Sequence, residues 1–292
     1  MYIIMTDTSA NLEPAELKKW ELETLPLTYM VNGEKPIDSG DTGFDGPAFY
    51  NAMRNGAKVV TSQVTPQTYI DAMMPFLEAG QDVLFVGMSS GISGAFQSAV
   101  IASHELNEKF PERKIRLVDT LAASLGEGIL VIKAVQMKAD GASLDETADT
   151  LEGMKKNVCQ LLLVEDLMYL RRTGRVSGVA AVLGSVLGVR PLLKGNENGQ
   201  LVVSAKIRGR NQAIKTMAER YRTLVRQPEN CVVGIAHADC PEDAEALAAM
   251  IRKAAAPKEI LTVCYEPVTG AHTGPSALAL FFTGADDVRF QY

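Results

Sequence analysis

An α/β fold with a mostly parallel sheet in its first half is what three observations predict. Short apolar runs alternate with stretches of helical spacing from the N-terminus to about residue 157, the pattern of successive βαβ units. The run Val83-Leu84-Phe85-Val86 is apolar throughout, as expected of a strand covered on both faces by helices. The chain has 292 residues, 47% of them hydrophobic and 22% charged, which is enough to bury a sizeable core.

In chain order, Tyr2–Met5 is a strand ending in Thr6-Asp7-Thr8-Ser9, and Pro14 opens a helix through Trp20. Leu25–Val31 is extended and Asn32-Gly33 marks a tight turn. Asp45-Gly46-Pro47 starts a short helix that Gly56 stops. Val59-Val60 leads into the hydroxyl-rich Thr61-Ser62-Gln63-Val64-Thr65, and Pro66 begins a helix that Gly80 ends. After Val83–Val86 comes Gly87-Met88-Ser89-Ser90-Gly91-Ile92-Ser93-Gly94, then helical spacing over Ala95–Lys109. Ile115–Asp119 is a strand, a helix follows to Ala139, and Ser143 with Glu146 forms a capping box for a helix reaching Asn157. The second half is less regular. It holds a strand Cys159–Val164, a basic turn over 166–177, and a glycine-containing apolar helix Val179–Leu187. A hairpin of Val189–Leu193 and Leu201–Ile207 follows, then a helix from Asn211 to Val225. Cys231–His237, Pro241–Ala255 and Ile260–Pro267 make a further β–α–β unit, Gly270–Pro275 is a loop, and Leu278–Phe282 is a last apolar run. The change of pattern places a domain boundary at 157, giving domains 1–157 and 158–292.

Composition excludes several functions. A net charge of −6 and a pI near 5.3 oppose nucleic-acid binding, which needs clustered basic residues. No apolar run approaches ~18–20 residues, so no integral membrane segment is expected. The N-terminus lacks a basic leader region and reads as a core strand, and Cys159, Cys231, Cys240 and Cys264 are scattered in or beside apolar runs. A reduced, cytoplasmic protein follows. There is no G-x-G-x-x-G after the first strand, no G-x-x-x-x-G-K-[ST], and no clustered Cys/His set for a metal.

In parallel α/β sheets ligands sit at the carboxyl ends of strands. Those ends carry Asp7, Thr8 and Ser9, then Thr61 and Ser62, then Ser89, Ser90 and Ser93, then Asp119 and Ser124. Nothing in the Ser89–Gly94 turn is charged, so the turn holds an anion by hydroxyl and amide donors at a helix N-terminus. A simple capping role for Ser93 is the plainer reading of the same residue.

Eight motifs standing in one order resemble the DegV family, the bacterial fatty-acid-binding proteins that present acyl chains to a fatty acid kinase. They are Thr6-Asp7-Thr8-Ser9, Thr61-Ser62-Gln63, Ser89-Ser90-Gly91-Ile92-Ser93-Gly94, Asp119 with Ser124-x-Gly126-x-Gly128, Leu170-Arg171-Arg172-Thr173-Gly174-Arg175-Val176-Ser177, Arg190-Pro191-Leu192-Leu193, Arg208, and Ala271-His272-Thr273-Gly274-Pro275. The resemblance implies two α/β domains with one long-chain fatty acid buried between them, no other cofactor, and no catalysis by the chain itself. It places Thr61 and Ser93 on the carboxyl and His272 beside it; Ser62 and Ser90, in the same strand-end loops, are expected to bind the carboxyl too. It turns Arg171, Arg172, Arg175 and Arg208 toward a kinase partner. The sequence departs from the family pattern at Thr8, at Val64 after Thr61-Ser62-Gln63, at Thr120, in the basic turn Arg172-Thr173-Gly174-Arg175, and at Ser276. None of these removes a hydroxyl from the carboxyl site.

An alternative of another class is a serine hydrolase. Gly87-Met88-Ser89-Ser90-Gly91 matches G-x-S-x-G between a strand and a helix, and Asp119 and His272 complete the order Ser, Asp, His. Against it, Gly91–Gly94 separates the serine from its helix, and no HGGG-type oxyanion loop is present.

Overall fold

A computed structural model describes residues 1–40, 43–176 and 188–290. The apolar helix expected over Val179–Leu187, and Ser177 at the end of the basic turn, lie outside the described residues. The N-terminal sheet is four-stranded and wholly parallel: β1 (Tyr2–Asp7), β2 (Glu23–Leu25), β6 (Asp82–Gly87) and β7 (Ile115–Asp119) lie in the order β2-β1-β6-β7. Val83 to Val86 are completely buried, as the unbroken apolar run requires. The helices of this half begin where capping chemistry marks them. Thr65 accepts the Thr68 amide ahead of α3 (Pro66–Glu78), and the Ser143–Glu146 capping box opens α6 (Leu144–Met154). Between them run α4 (Ala95–Lys109) and α5 (Leu125–Ala139).

A second sheet corrects one expectation. Thr61 and Ser62 end β5 (Val59–Ser62), which pairs antiparallel with β3 (Thr28–Val31), itself antiparallel to β4 (Ile37–Asp38). These residues therefore leave a small separate sheet and not the parallel one. The cause is visible in β5, whose side chains alternate between half-buried and exposed, with Val60 61% exposed. A strand with one wet face suits an antiparallel sheet.

The remaining strands are β8 (Val158–Leu163), β9 (Val189–Gly195), β10 (Leu201–Arg208), β11 (Val232–His237), β12 (Glu259–Cys264) and β13 (Leu278–Thr283). They form a mixed sheet in the order β10-β9-β8-β13-β11-β12, parallel only between β11 and β12. On one face lie α8 (Arg210–Leu224) and α9 (Pro241–Ala254) over Leu161, Leu163, Val233 and Leu280. The other face packs α5, which also touches β1 and β6 and so lies between the two large sheets.

A second correction concerns 270–275, expected as a loop. Pro267–Thr273 is a helix, α10, whose first amides at Val268 and Thr269 donate to the Glu266 carboxylate. A glycine inside a helix suggests a break, but Gly270 is there because a Cβ would collide with the Tyr50 ring, whose nearest carbons lie at 2.8 and 2.9 Å from it.

Arg289 ties the end of the chain to the seam between the sheets. It is 1% exposed and donates from Nε to the Val158 carbonyl (3.0 Å) and from Nη1 to the Leu121 carbonyl (2.5 Å). Removing this guanidinium takes the side-chain donor from the buried Val158 carbonyl and one of two from the Leu121 carbonyl, so Arg289→Met is expected to cost about 2 kcal/mol in urea unfolding. A loss below roughly 0.5 kcal/mol, the scale of an ordinary surface substitution, would contradict the assigned role.

Candidate functional site

A cavity of about 500 Å³ lies along the seam, within the range of small-molecule sites. Leu27, Met88, Ile92, Leu162, Leu201 and Phe281 supply apolar wall. Polar groups enter from several places along the chain, Gln63, Ser124, Gln160 and Arg175 among them. Thr61 and Ser62 come from the end of β5, Ser93 from the turn after β6, and Thr269 and His272 from α10. Thr61 Oγ1 lies 2.9 Å from His272 Nε2, joining the small sheet to α10. His272 Nδ1 and Thr269 Oγ1 are buried with no hydrogen-bond partner among the described residues. Such groups are costly unless something polar meets them.

Ser93 lies at the end of the turn, with Gly94 and not Ser93 in the N-cap position of α4. It lines the cavity, and its Oγ accepts the Ala95 amide at 3.2 Å at the start of α4. Ser90 does not join the group: it is exposed, away from the cavity wall, and its amide donates to Asp119 Oδ1 at 3.2 Å. Asp7 accepts the amides of Ser9 (2.9 Å) and Met88 (3.2 Å), so it holds the strand-end turns together.

The arginines divide. Arg171 and Arg172 are exposed, with Arg172 over the Tyr169 ring at 4.6 Å, and Arg208 is exposed at the end of β10. Arg175 is different. It lines the cavity, donating from Nε to the Ile92 carbonyl (3.2 Å) and from Nη1 to the Thr173 carbonyl (2.5 Å). A cation therefore borders a cavity whose strand-end turn is uncharged. The sequence hid this, because the arginine arrives from a turn more than eighty residues beyond that motif. Thr269 was missed too, since its segment did not look helical.

Ser89 is fully buried, donates to the Gly199 carbonyl at 2.9 Å and accepts the Gly91 amide at 3.1 Å. Asp119 accepts the Ser90 and Leu121 amides, while His272 meets Thr61. The three members of the supposed triad each have other partners, and a hydrolase finds no support here.

The model of the DegV family, described as "Uncharacterised protein, DegV family", matches residues 1–284. A DegV domain-containing protein of Clostridium perfringens is 38% identical over 283 residues, 97% of each chain. This chain belongs to the DegV family. Among solved structures of the family, one from Thermus thermophilus, titled for its fatty-acid binding, superposes with a TM-score of 0.88 at 25% identity, covering 97% of this chain and 99% of its own. A fatty-acid-binding DegV protein of Streptococcus agalactiae gives 0.85 at 26% identity, covering 98% and 99%. Among the described residues, no helix is long and apolar enough to cross a membrane.

Electrostatics set the state of His272 in this DegV chain. Burial, and secondarily the Arg175 charge, push it down from 6.5 to about 4. The imidazole is thus neutral at pH 7, with one donor and one acceptor nitrogen. Its depressed value stabilises the fold above 6.5 and that contribution is lost as pH falls toward 4. The His272 ring protons are accordingly expected to titrate by NMR near 4 in the ligand-free protein, and a midpoint at the ordinary 6.5 would refute the buried, Arg175-facing ring.

Proposed function

We propose that this DegV chain binds one long-chain fatty acid in the seam cavity, sequesters it, and presents its carboxyl to a fatty acid kinase. The observation that carries the reading is the lining of the cavity: the unpartnered His272 Nδ1 and Thr269 Oγ1 share it with the hydroxyls of Thr61 and Ser93, and most of the remaining wall is apolar. The fatty-acid binding of the Thermus thermophilus and Streptococcus agalactiae DegV proteins supports the ligand class. Thr61 and Ser93 donate hydroxyls to the carboxylate. Thr61 keeps its one proton for the carboxylate by accepting Nε2–H of neutral His272, whose Nδ1 is then the acceptor nitrogen. Arg175 supplies the charge complement, which differs from the partner-facing role inferred for it from the sequence. Ser62 flanks the head group, and Ser90 belongs to the supporting turn.

Energetics favour a lipid. Burying about 16 carbons at about 0.8 kcal/mol per CH₂ gives on the order of 12 kcal/mol before ordering costs. The head group then needs only to be oriented, and a carboxyl held mainly by hydroxyls stays available for phosphoryl transfer by a partner. Exposed Arg171, Arg172 and Arg208 form the partner-facing set. In this reading residues 1–157 carry the carboxyl-binding loops, residues 158–292 cover the acyl chain, and the protein works in the cytoplasm without chemistry of its own.

Native mass spectrometry followed by denaturing extraction tests the ligand. One C14–C20 acid per chain is expected, and an empty protein that also refuses a fluorescent fatty acid would end the proposal. Thr61→Ala and Ser93→Ala are each expected to weaken retention by about 1–3 kcal/mol, the cost of orphaning a polar group. Unchanged affinity in both would remove these residues from the site. Arg208→Ala is expected to leave lipid affinity within twofold while lowering acyl-phosphate formation when a fatty acid kinase is added. Parallel loss of both would place Arg208 in lipid binding instead.

A further inference from the structure

Two hydroxyls that line the cavity come from parts of the fold that share no sheet. Thr61 belongs to β5 of the small antiparallel sheet, and Ser93 stands in the turn between β6 of the parallel sheet and α4. Thr61 Oγ1 accepts from His272 Nε2 and Ser93 Oγ accepts the Ala95 amide, so each hydroxyl keeps its proton for a ligand. A single head group meets both only if the end of β5 is held at the right distance from the start of α4.

Gln63 makes that connection. It lines the cavity two residues beyond Thr61, and its Nε2 donates at 3.2 Å to the buried Ser98 Oγ, one turn into α4. Among the described residues, no other hydrogen bond joins residues 61–65 to residues 88–98. Gly94 is fitted to this contact. A Cβ there would run into Gln63 Oε1, with Nε2 at 3.0 Å and Cδ at 3.1 Å from it. The Gly94 backbone has a φ of −79°, which any residue adopts, so the absent side chain makes room for Gln63 and does not serve the turn.

We propose that Gln63, seated on Gly94 and bonded to Ser98, is the spacer that sets the separation of Thr61 and Ser93 and so selects a two-oxygen carboxylate head group over a single oxygen. The proposal rests on the fatty-acid reading above and adds to it a positioning residue that acts through the two hydroxyls. Donors fixed before the ligand arrives need no further ordering when it binds, and that saving is specific to a head group that engages both. The apolar wall at Leu162, Leu201 and Phe281 comes from β8, β10 and β13, so an uncharged lipid of the same length gains nothing from the spacer.

Binding of palmitic acid and of hexadecan-1-ol to the lipid-stripped full chain tests it. The alcohol matches the acid in chain length but carries one uncharged oxygen. Gln63→Ala and Gly94→Ala are each expected to weaken palmitate binding about three- to tenfold, the scale of one hydrogen bond, while hexadecan-1-ol stays within about twofold. The double variant is expected to bind palmitate no more weakly than Gln63→Ala alone, because the new methyl costs nothing once the amide it would strike is gone. Unchanged palmitate affinity in both single variants overturns the proposal. Additive losses in the double variant do the same, as does a parallel loss of acid and alcohol, the result a purely structural role would give. A wild type that binds neither lipid overturns the fatty-acid reading and the spacer with it, whereas a wild type that binds palmitate with parallel losses in the variants overturns the spacer alone. Independently of how either variant folds, the ligand-free wild type is expected to show NOEs from the Gln63 side-chain amide to Gly94 Hα and Ser98 Hβ, and their absence would also overturn the spacer.

Discussion

Burial of the first two turns of α5 on every side is the constraint on which the remaining structure depends. Leu125 to Ile132 are all removed from solvent, while Gln136 and Lys138 further on are exposed. The first half of this helix therefore has no wet face and must be enclosed by both large sheets. Close approach is possible because Gly126 carries no side chain; a Cβ there would sit 2.9 Å from Phe281 on β13. The apolar surface buried in this way holds the halves together, and the Arg54–Asp239 ion pair joins them away from α5. The same enclosure removes Glu127 from water and leaves its carboxylate to the hydroxyls of Thr6 and Ser9.

The cavity is a by-product of how the chain approaches α5. The loop before the helix, Thr120 to Ser124, contains two non-glycine residues in left-handed conformation, Leu121 (φ 54°) and Ser124 (φ 54°). Such a loop persists only when its surroundings hold it. Gln160 does so by donating to the Leu121 carbonyl at 3.0 Å and accepting the Ala123 amide at 3.4 Å, and Arg289 donates to the same Leu121 carbonyl. Held in this shape, the loop presents Ala123 and Ser124 as wall beside Leu162 and Phe281. Further polar wall is then added by β5 and α10, two short elements that neither large sheet contains.

What the sequence discloses follows the range of the interactions involved. Local signals are legible: the buried run Val83–Val86, the Ser143–Glu146 box and the β9–β10 hairpin stand where periodicity and capping put them. Thr61, Ser93 and His272 were legible only through the order of weak motifs. Strand partnership was not legible for β5, because its one wet face, two exposed residues alternating with two half-buried ones, emerges only in the tertiary structure. The helical state of 267–273 was obscured by Gly270, whose reason lies in the distant Tyr50. Arg175 was misplaced for a related cause. A basic turn looks solvated until tertiary structure supplies a cavity beside it.

The Gly87–Gly91 pentapeptide shows how one pattern serves two kinds of physics. A nucleophile elbow must expose its serine hydroxyl and leave its proton to a base. Here Ser89 is enclosed, and its proton goes to the Gly199 carbonyl at the tip of the hairpin. Small residues are required for contact and not for strain: the Asn198 carbonyl lies where a Cβ on Gly91 would be. The hairpin tip thereby docks on the strand-end turn, and Gly199 and Leu201 become part of the cavity wall. A serine that bonds to backbone across two sheets positions a wall, and the glycines around it are what that contact needs.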